Sequence, residues 1–228
     1  VGGAAYCATG VARRASALAR RSLLDGGVDG APAGPRTALG VAGVPVVLIV
    51  MLLLSIGFGQ LDTSMAATAD RALGGTEKVG ILFAAIAGGS TIGGLVFGAR
   101  HRPIDERRGV AVLLCGFGVC LAVLAILLGS GVATLLVLLP VLFLTGLTIA
   151  PALIMQQTRL DRISPGHRLN EAQALLSASN TTGAAVGTAI AGVVIDVAGV
   201  SWSFAGAAAG VMVAAGIAFL SGRQRVSP

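Results

Sequence analysis

Asp62 interrupts a stretch, Val41 to Ala69, that is otherwise almost wholly apolar; its polar neighbours are Gln60, Thr63 and Ser64. An ionisable group at membrane depth is costly, seldom faces lipid, and by default marks a solute or ion path. Ser55, Gly59 and Asp62 fall on one face of a helix. The helical rise puts Asp62 about 25 Å beyond Pro45, in the outer half of a bilayer rather than at its centre. Two readings follow from that depth. Asp62 is a proton site, a cation site or an outer gate; or it is a solvated helix end or half of a structural pair. A carboxylate held away from water takes up a proton more readily than an exposed one.

A second polar pattern lies near the C-terminal end. Gln173, Ser177 and Asn180 are spaced four and three apart, and Ala184, Gly187 and Ala191 continue the same face. This is one stripe at helical period. Asn180 lies about 15 Å past Asn170, near mid-membrane. At that depth the stripe faces either a cavity or a neighbouring helix. Thr145 and Thr148 are candidates to face the same interior, with Gln156 and Gln157 at the end of their span. Gln60 and Ser55 complete the substrate-route candidates.

The elements that must position these residues are set by composition. The 228 residues are 55% hydrophobic and only 11% charged, with a mean hydropathy of +0.89. A soluble domain carries about a quarter charged residues, so the bilayer is the solvent for most of this chain. The sequence pI near 10.6 does not indicate nucleic acid, because the basic residues sit in short loops between apolar spans. Cys115 and Cys120 read as small apolar core residues, not a disulfide framework. His101 and His167 fall in loops, so no metal site and no cofactor is expected. No nucleophile–base pair or phosphate loop points to an enzyme.

A span needs roughly 20 mostly apolar residues. Six are predicted: Val44 to Ala67, Val79 to Ala99, Gly109 to Leu128, Leu135 to Gln156, Ala172 to Ile195 and Trp202 to Leu220. Of the sixteen basic residues, all but Arg71 and Lys78 fall on one side of this arrangement. The positive-inside rule then places both ends of the six-span region in the cytoplasm. The expected organisation is the end of a preceding span over 1–12, a basic cytoplasmic loop and linker over 13–40, a six-helix membrane domain over 41–222 and a tail over 223–228. The first eleven residues carry no signal-peptide pattern; they read as the tail of an earlier span, so the chain is a fragment or has a late-called start.

Glycine, at 34 residues, is abundant and patterned. Gly89, Gly93, Gly94 and Gly98 give overlapping four-residue spacings in the second span, and Gly183 and Gly187 repeat the spacing in the fifth. Small residues so placed let helix backbones approach closely, which replaces the hydrophobic drive that lipid removes. The pair Gly206 and Gly210 reads as composition only. Asn170, with Gln173 three residues on, reads as the cap of the fifth span. Glu171 opens that span, where the helix dipole favours a carboxylate.

Three stretches carry a resemblance: "GFGQLDTSMAA" from Gly57, "GLTIAPALIMQQTRLDRISP" from Gly146 and "LNEAQALLSASNTTGAAVGTAIAG" from Leu169. With the six-span pattern, the chain resembles the C-terminal six-helix half of a major facilitator superfamily transporter, of actinobacterial efflux type. The resemblance covers essentially the whole chain. The family's loop motif is only partly matched between Gly98 and Gly109: Arg107 and Arg108 fit its basic end, Arg102 occupies its aspartate position and Asp105 is displaced. The resemblance implies an all-α membrane protein of the plasma membrane that carries out proton-coupled export of small amphipathic or drug-like molecules by antiport. It also implies pairing with a missing N-terminal six-helix half, with spans two and five at that interface and spans one and four at the cavity. The alternatives are a truncated, non-transporting fragment and a six-helix half that works as a homodimer.

Overall fold

The computed structural model describes residues 37–99 and 106–221. The expected span end over 1–12, nearly all of the 13–40 linker, the 223–228 tail and the loop positions Arg102 and Asp105 lie outside the described residues. Within them every regular element is helical. Six helices are long and apolar enough to cross a membrane. They are α1 (Val44–Ala67, continued by a π-helical turn at Thr68–Ala72), α2 (Val79–Ala99), α3 (Glu106–Gly129), α4 (Leu135–Ile163), α5 (Leu169–Val197) and α6 (Val200–Leu220). Each predicted span corresponds to one of them.

The ends have local causes. Gly43, at φ 101°, turns the chain into α1, and Pro45 occupies its first turn, where a missing amide costs nothing. Gly199, at φ 94°, makes the sharp link between α5 and α6. The helices overrun the predicted limits most on α4, which continues seven residues past Gln156, and α5, which starts three residues before Ala172. Asn170 is therefore inside the first turn of α5, and the expected cap is not made. A 3-10 turn at Gly166–Arg168 leads straight into the helix. Glu171 holds the entry instead, accepting from the Ala38 amide and from Arg168, both at 3.0 Å.

Direct packing joins α1 to α5, α2 to α4 and α3 to α6 most extensively, then α1 to α6 and α3 to α4. The series runs α5–α1–α6–α3–α4–α2. The register of contacts gives directions. Gly183 and Gly187 meet Leu52 and Ile56 in ascending order, so α5 is parallel to α1. Gly89 and Gly93 meet Phe143 and Leu147, so α2 is parallel to α4. Gly118 meets Met212 and Gly129 meets Ser201, so α3 and α6 are antiparallel. Exchanging the first three helices for the last three maps this pairing onto itself with reversed direction, which is an inverted repeat.

The repeat extends to single residues. A β-carbon on Gly59 would collide with the carbonyl of Ala184 and crowd the amide of Thr188; one on Gly146 would do the same to Ile86 and Ser90. In both cases the carbonyl belongs to the residue three before a partner glycine (Gly187 or Gly89), and the amide to the residue after it. Those partners reciprocate, Gly187 against the Ile56 carbonyl and Gly89 against that of Phe143. Two helix crossings are thus built to one pattern.

The central layer is apolar. Phe58 of α1 and Phe117 of α3 meet with ring centroids 5.2 Å apart, and Phe204 of α6 is buried in the same core. Helix α4 runs through Pro140 and Pro151. Pro151 leaves the Leu147 carbonyl without its intrahelical donor, and that oxygen lies against Gly93 of α2. Helices α2 and α5, at the two ends of the series, are the least buried.

Candidate functional site

The α1–α5 crossing gathers the polar side chains. Gly59, Gly183 and Gly187 remove the side chains that would hold the two backbones apart. The approach brings Ser55, wholly buried, to Asn180, and the Ser55 Oγ donates to Asn180 Oδ1 at 2.7 Å. Asn180 is otherwise exposed, as is Ser177 one turn before it. Toward the other end of the same groove, Thr63 donates to the Gly59 carbonyl at 2.9 Å, and Thr188 reaches that oxygen at 3.5 Å. Asp62 follows Gly59 by three residues and is exposed. Among the described residues no cation pairs with it.

Both ends of the crossing are tied. At one, Arg71 donates to the Ile195 carbonyl and to Asp196 Oδ1, each at 3.0 Å. At the other, Glu171 holds the chain leading into α1 at Ala38, and Gln173 Nε2 donates to Asp161 Oδ1 at 2.5 Å. Gln173 therefore fastens α5 to the end of α4. The stripe it was expected to share is carried by Ser177 and Asn180.

Three other expected route residues lie elsewhere. Gln60 is buried, with its Oε1 against Gly206 of α6. Thr145 donates to the Val141 carbonyl and Thr148 to that of Thr145. Both face α3, Thr145 toward Cys120 and Thr148 toward Gly116. Both hydroxyls are bonded to their own helix; Thr145 is buried and Thr148 half-buried. Of the packing glycines, Gly89, Gly93, Gly183 and Gly187 make backbone contacts, Gly94 lies beside Ala150, and Gly98 has nothing within 4 Å. Cys115 is exposed and Cys120, half-buried, faces Thr145 of α4, so neither is the core residue expected.

One polar contact had no signal in the sequence. Ser64 donates to Ser203 at 2.8 Å, with both side chains buried between α1 and α6. Thr68 donates to the Ser64 carbonyl at 2.7 Å. The two serines at the start of α6, Ser201 and Ser203, give no spacing from which a partner can be inferred. Gln156 is fully buried with both polar atoms of its amide unbonded.

The inverted repeat allows a position-by-position comparison of the two crossings. Ser55 stands four residues before Gly59, as Leu142 stands before Gly146. Asn180 stands seven before Gly187, as Leu82 stands before Gly89. By the same counting Asp62 corresponds to Ile149, Thr63 to Ala150 and Ser177 to Val79. Every one of these polar positions is apolar in the other crossing. Chemically, the α1–α5 groove offers amide and hydroxyl groups and one carboxylate; the α2–α4 crossing offers hydrocarbon there. Among the described residues no group of His, Cys, Asp and Glu could hold a metal.

No family model, curated protein or solved structure matches the chain.

Proposed function

We propose that the chain is the C-terminal six-helix half of a major facilitator-type secondary transporter of the plasma membrane, exporting small amphipathic molecules in exchange for protons. The observation that carries this reading is the one-sided placement of polar groups within a two-fold packing pattern. An inverted repeat of membrane helices is the architecture of many secondary transporters, whose sites lie where the repeats meet. A polar stripe along α5, one of the two least buried helices, facing a carboxylate that pairs with no cation among the described residues, is what a solute route through lipid requires. The exposed outer faces of α2 and α5 support pairing with a second six-helix half. In this reading Ser55, Ser177 and Asn180 line the route and Asp62 carries the proton. Both ends of the six-helix region lie in the cytoplasm, on the strength of the arginine distribution.

The test uses vesicles holding this chain joined to its upstream six-helix half. Substrate efflux is measured against an imposed proton gradient. Asp62→Asn is expected to abolish the dependence on the gradient while exchange of substrate down its own gradient persists. Unchanged coupling in that variant removes Asp62 from the mechanism. Equal activity with Asn180→Leu removes the route.

A further inference from the structure

Beyond Asp62, α1 leaves α-helical geometry. Thr68–Ala72 is a π-helical turn, closed by the Leu73 amide on the Thr68 carbonyl at 3.0 Å. The cause is local. The Thr68 hydroxyl takes the Ser64 carbonyl at 2.7 Å, and the Thr68 amide is shared between the Ser64 and Met65 carbonyls. A hydroxyl that competes for the carbonyl one turn back loosens and bends a helix there. A π-turn closes over one residue more than an α-turn, and such turns are frequent at functional sites.

The same turn carries the tie to α5. Arg71 donates from Nη1 to the Ile195 carbonyl and from Nη2 to Asp196 Oδ1, each at 3.0 Å. Ile195 is in the last turn of α5, where a cation meets the negative end of the helix dipole. Both charged side chains are exposed, so the tie is weak enough to open. The turn sets its register. Rewinding Thr68–Ala72 to α geometry moves the residues that follow by up to one position around the helix, about 100°, and carries Arg71 off Ile195. Arg71 lies nine residues past Asp62, about 13 Å along the axis, so the tie closes the end of the α1–α5 groove nearer that carboxylate. The matched crossing has no such device, because α4 stays α-helical over the same distance past Gly146. We infer that the π-helical end of α1 is a gate on the α1–α5 groove: Arg71 latches it to the end of α5, and conversion of the turn to α-helix releases the latch and frees the two ends. The gate regulates the proposed solute route and rests on that reading for what passes through it; its opening is read without transport.

The test is double electron–electron resonance on the full-length protein in lipid nanodiscs. Nitroxides are attached at Ala72→Cys and Val197→Cys, both exposed positions, with Cys7, Cys115 and Cys120 replaced by alanine. The expected result is two distances, the shorter one prevailing. Arg71→Gln raises the longer population roughly threefold to fivefold. Thr68→Val removes the competing hydroxyl, favours the α-turn, and raises the same population while leaving both partners of the tie in place. In a separate sample a membrane-impermeant maleimide labels Thr188→Cys, an exposed groove position, and its rate rises in step with the longer population. Helical circular dichroism of each variant is compared with the parent. A single distance that neither variant changes overturns the gate, whether or not the protein transports. Distances that shift while the labelling rate stays constant overturn it as well, since the end of α1 then moves without opening the groove. Distances and labelling that respond to both variants in a protein that moves no solute support the gate and overturn the transport reading instead.

Discussion

The α1–α5 and α2–α4 crossings share their backbone contacts and differ in their chemistry. Both are parallel pairs, both are centred on reciprocal glycines, and both set the same carbonyl and amide against those glycines. Yet five polar positions of the first, Ser55, Asp62, Thr63, Ser177 and Asn180, have apolar equivalents in the second. The contrast separates two demands on a membrane helix. Holding helices together in lipid needs close backbone approach, which glycine supplies at either crossing. Placing an amide and a carboxylate at membrane depth opposes burial, and where the first crossing has Asn180 and Asp62 the second has Leu82 and Ile149. What both crossings keep is the close backbone approach; the polar groups of Ser55, Asp62 and Asn180 are kept by one alone.

The strongest way to break this comparison is to refill the glycines. Gly187→Ala and Gly89→Ala each force a β-carbon against a helix carbonyl, and each is expected to lower stability by about 3 kcal/mol. Denaturant titration in micelles reads both. Losses that differ by more than about 1 kcal/mol would end the equivalence of the two crossings.

Next come the side chains at matched positions. Leu82→Ala removes a buried side chain and is expected to cost about 2 kcal/mol with no change in substrate profile. Ser55→Ala with Asn180→Leu removes one interhelical hydrogen bond, worth about 1 kcal/mol, and is expected to abolish transport. The ranking of stability loss and the ranking of activity loss therefore run in opposite directions. If both sites rank alike in the two assays, polar placement carries no functional weight.

Smaller effects sharpen the picture. Arg71 and Asp196 are 50% and 74% exposed, so Arg71→Ala is expected to cost under about 1 kcal/mol, and less as salt rises. A larger loss in the same titration would make the end tie a structural lock. Gly98→Ala is expected to be neutral or stabilising by under about 1 kcal/mol, because no neighbour stands within 4 Å and alanine favours helix. Destabilisation there would mean that Gly98 packs on something outside the described residues.

Much of the fold is legible without coordinates. Val44 and Val79 are read to the residue as helix starts, because Gly43, Pro45 and the 73–78 turn bound them chemically, while α1 runs on past Ala67 through its π-helical turn. The ends of α4 and α5 are not, since Gln156, Arg159 and Asn170 read as loop-side residues while the helices run on through them. Of the stripe on α5, Ser177 and Asn180 fit their expected groove, and Gln173 does not, because Asp161 on another helix captures its amide. Thr145 and Thr148 have the composition of route residues, but the direction they face depends on where α3 sits. The repeat was invisible in the sequence because its two copies share glycines and little else.

Amino-acid order alone determined how many helices there are and where they run, since each is an apolar length that lipid must surround. It also marked the residues too polar to sit there without purpose. Which helices touch, and that the first three repeat the last three upside down, only the tertiary structure decided. Backbone contact between distant segments is made through glycine, and glycine records no partner in the sequence that contains it.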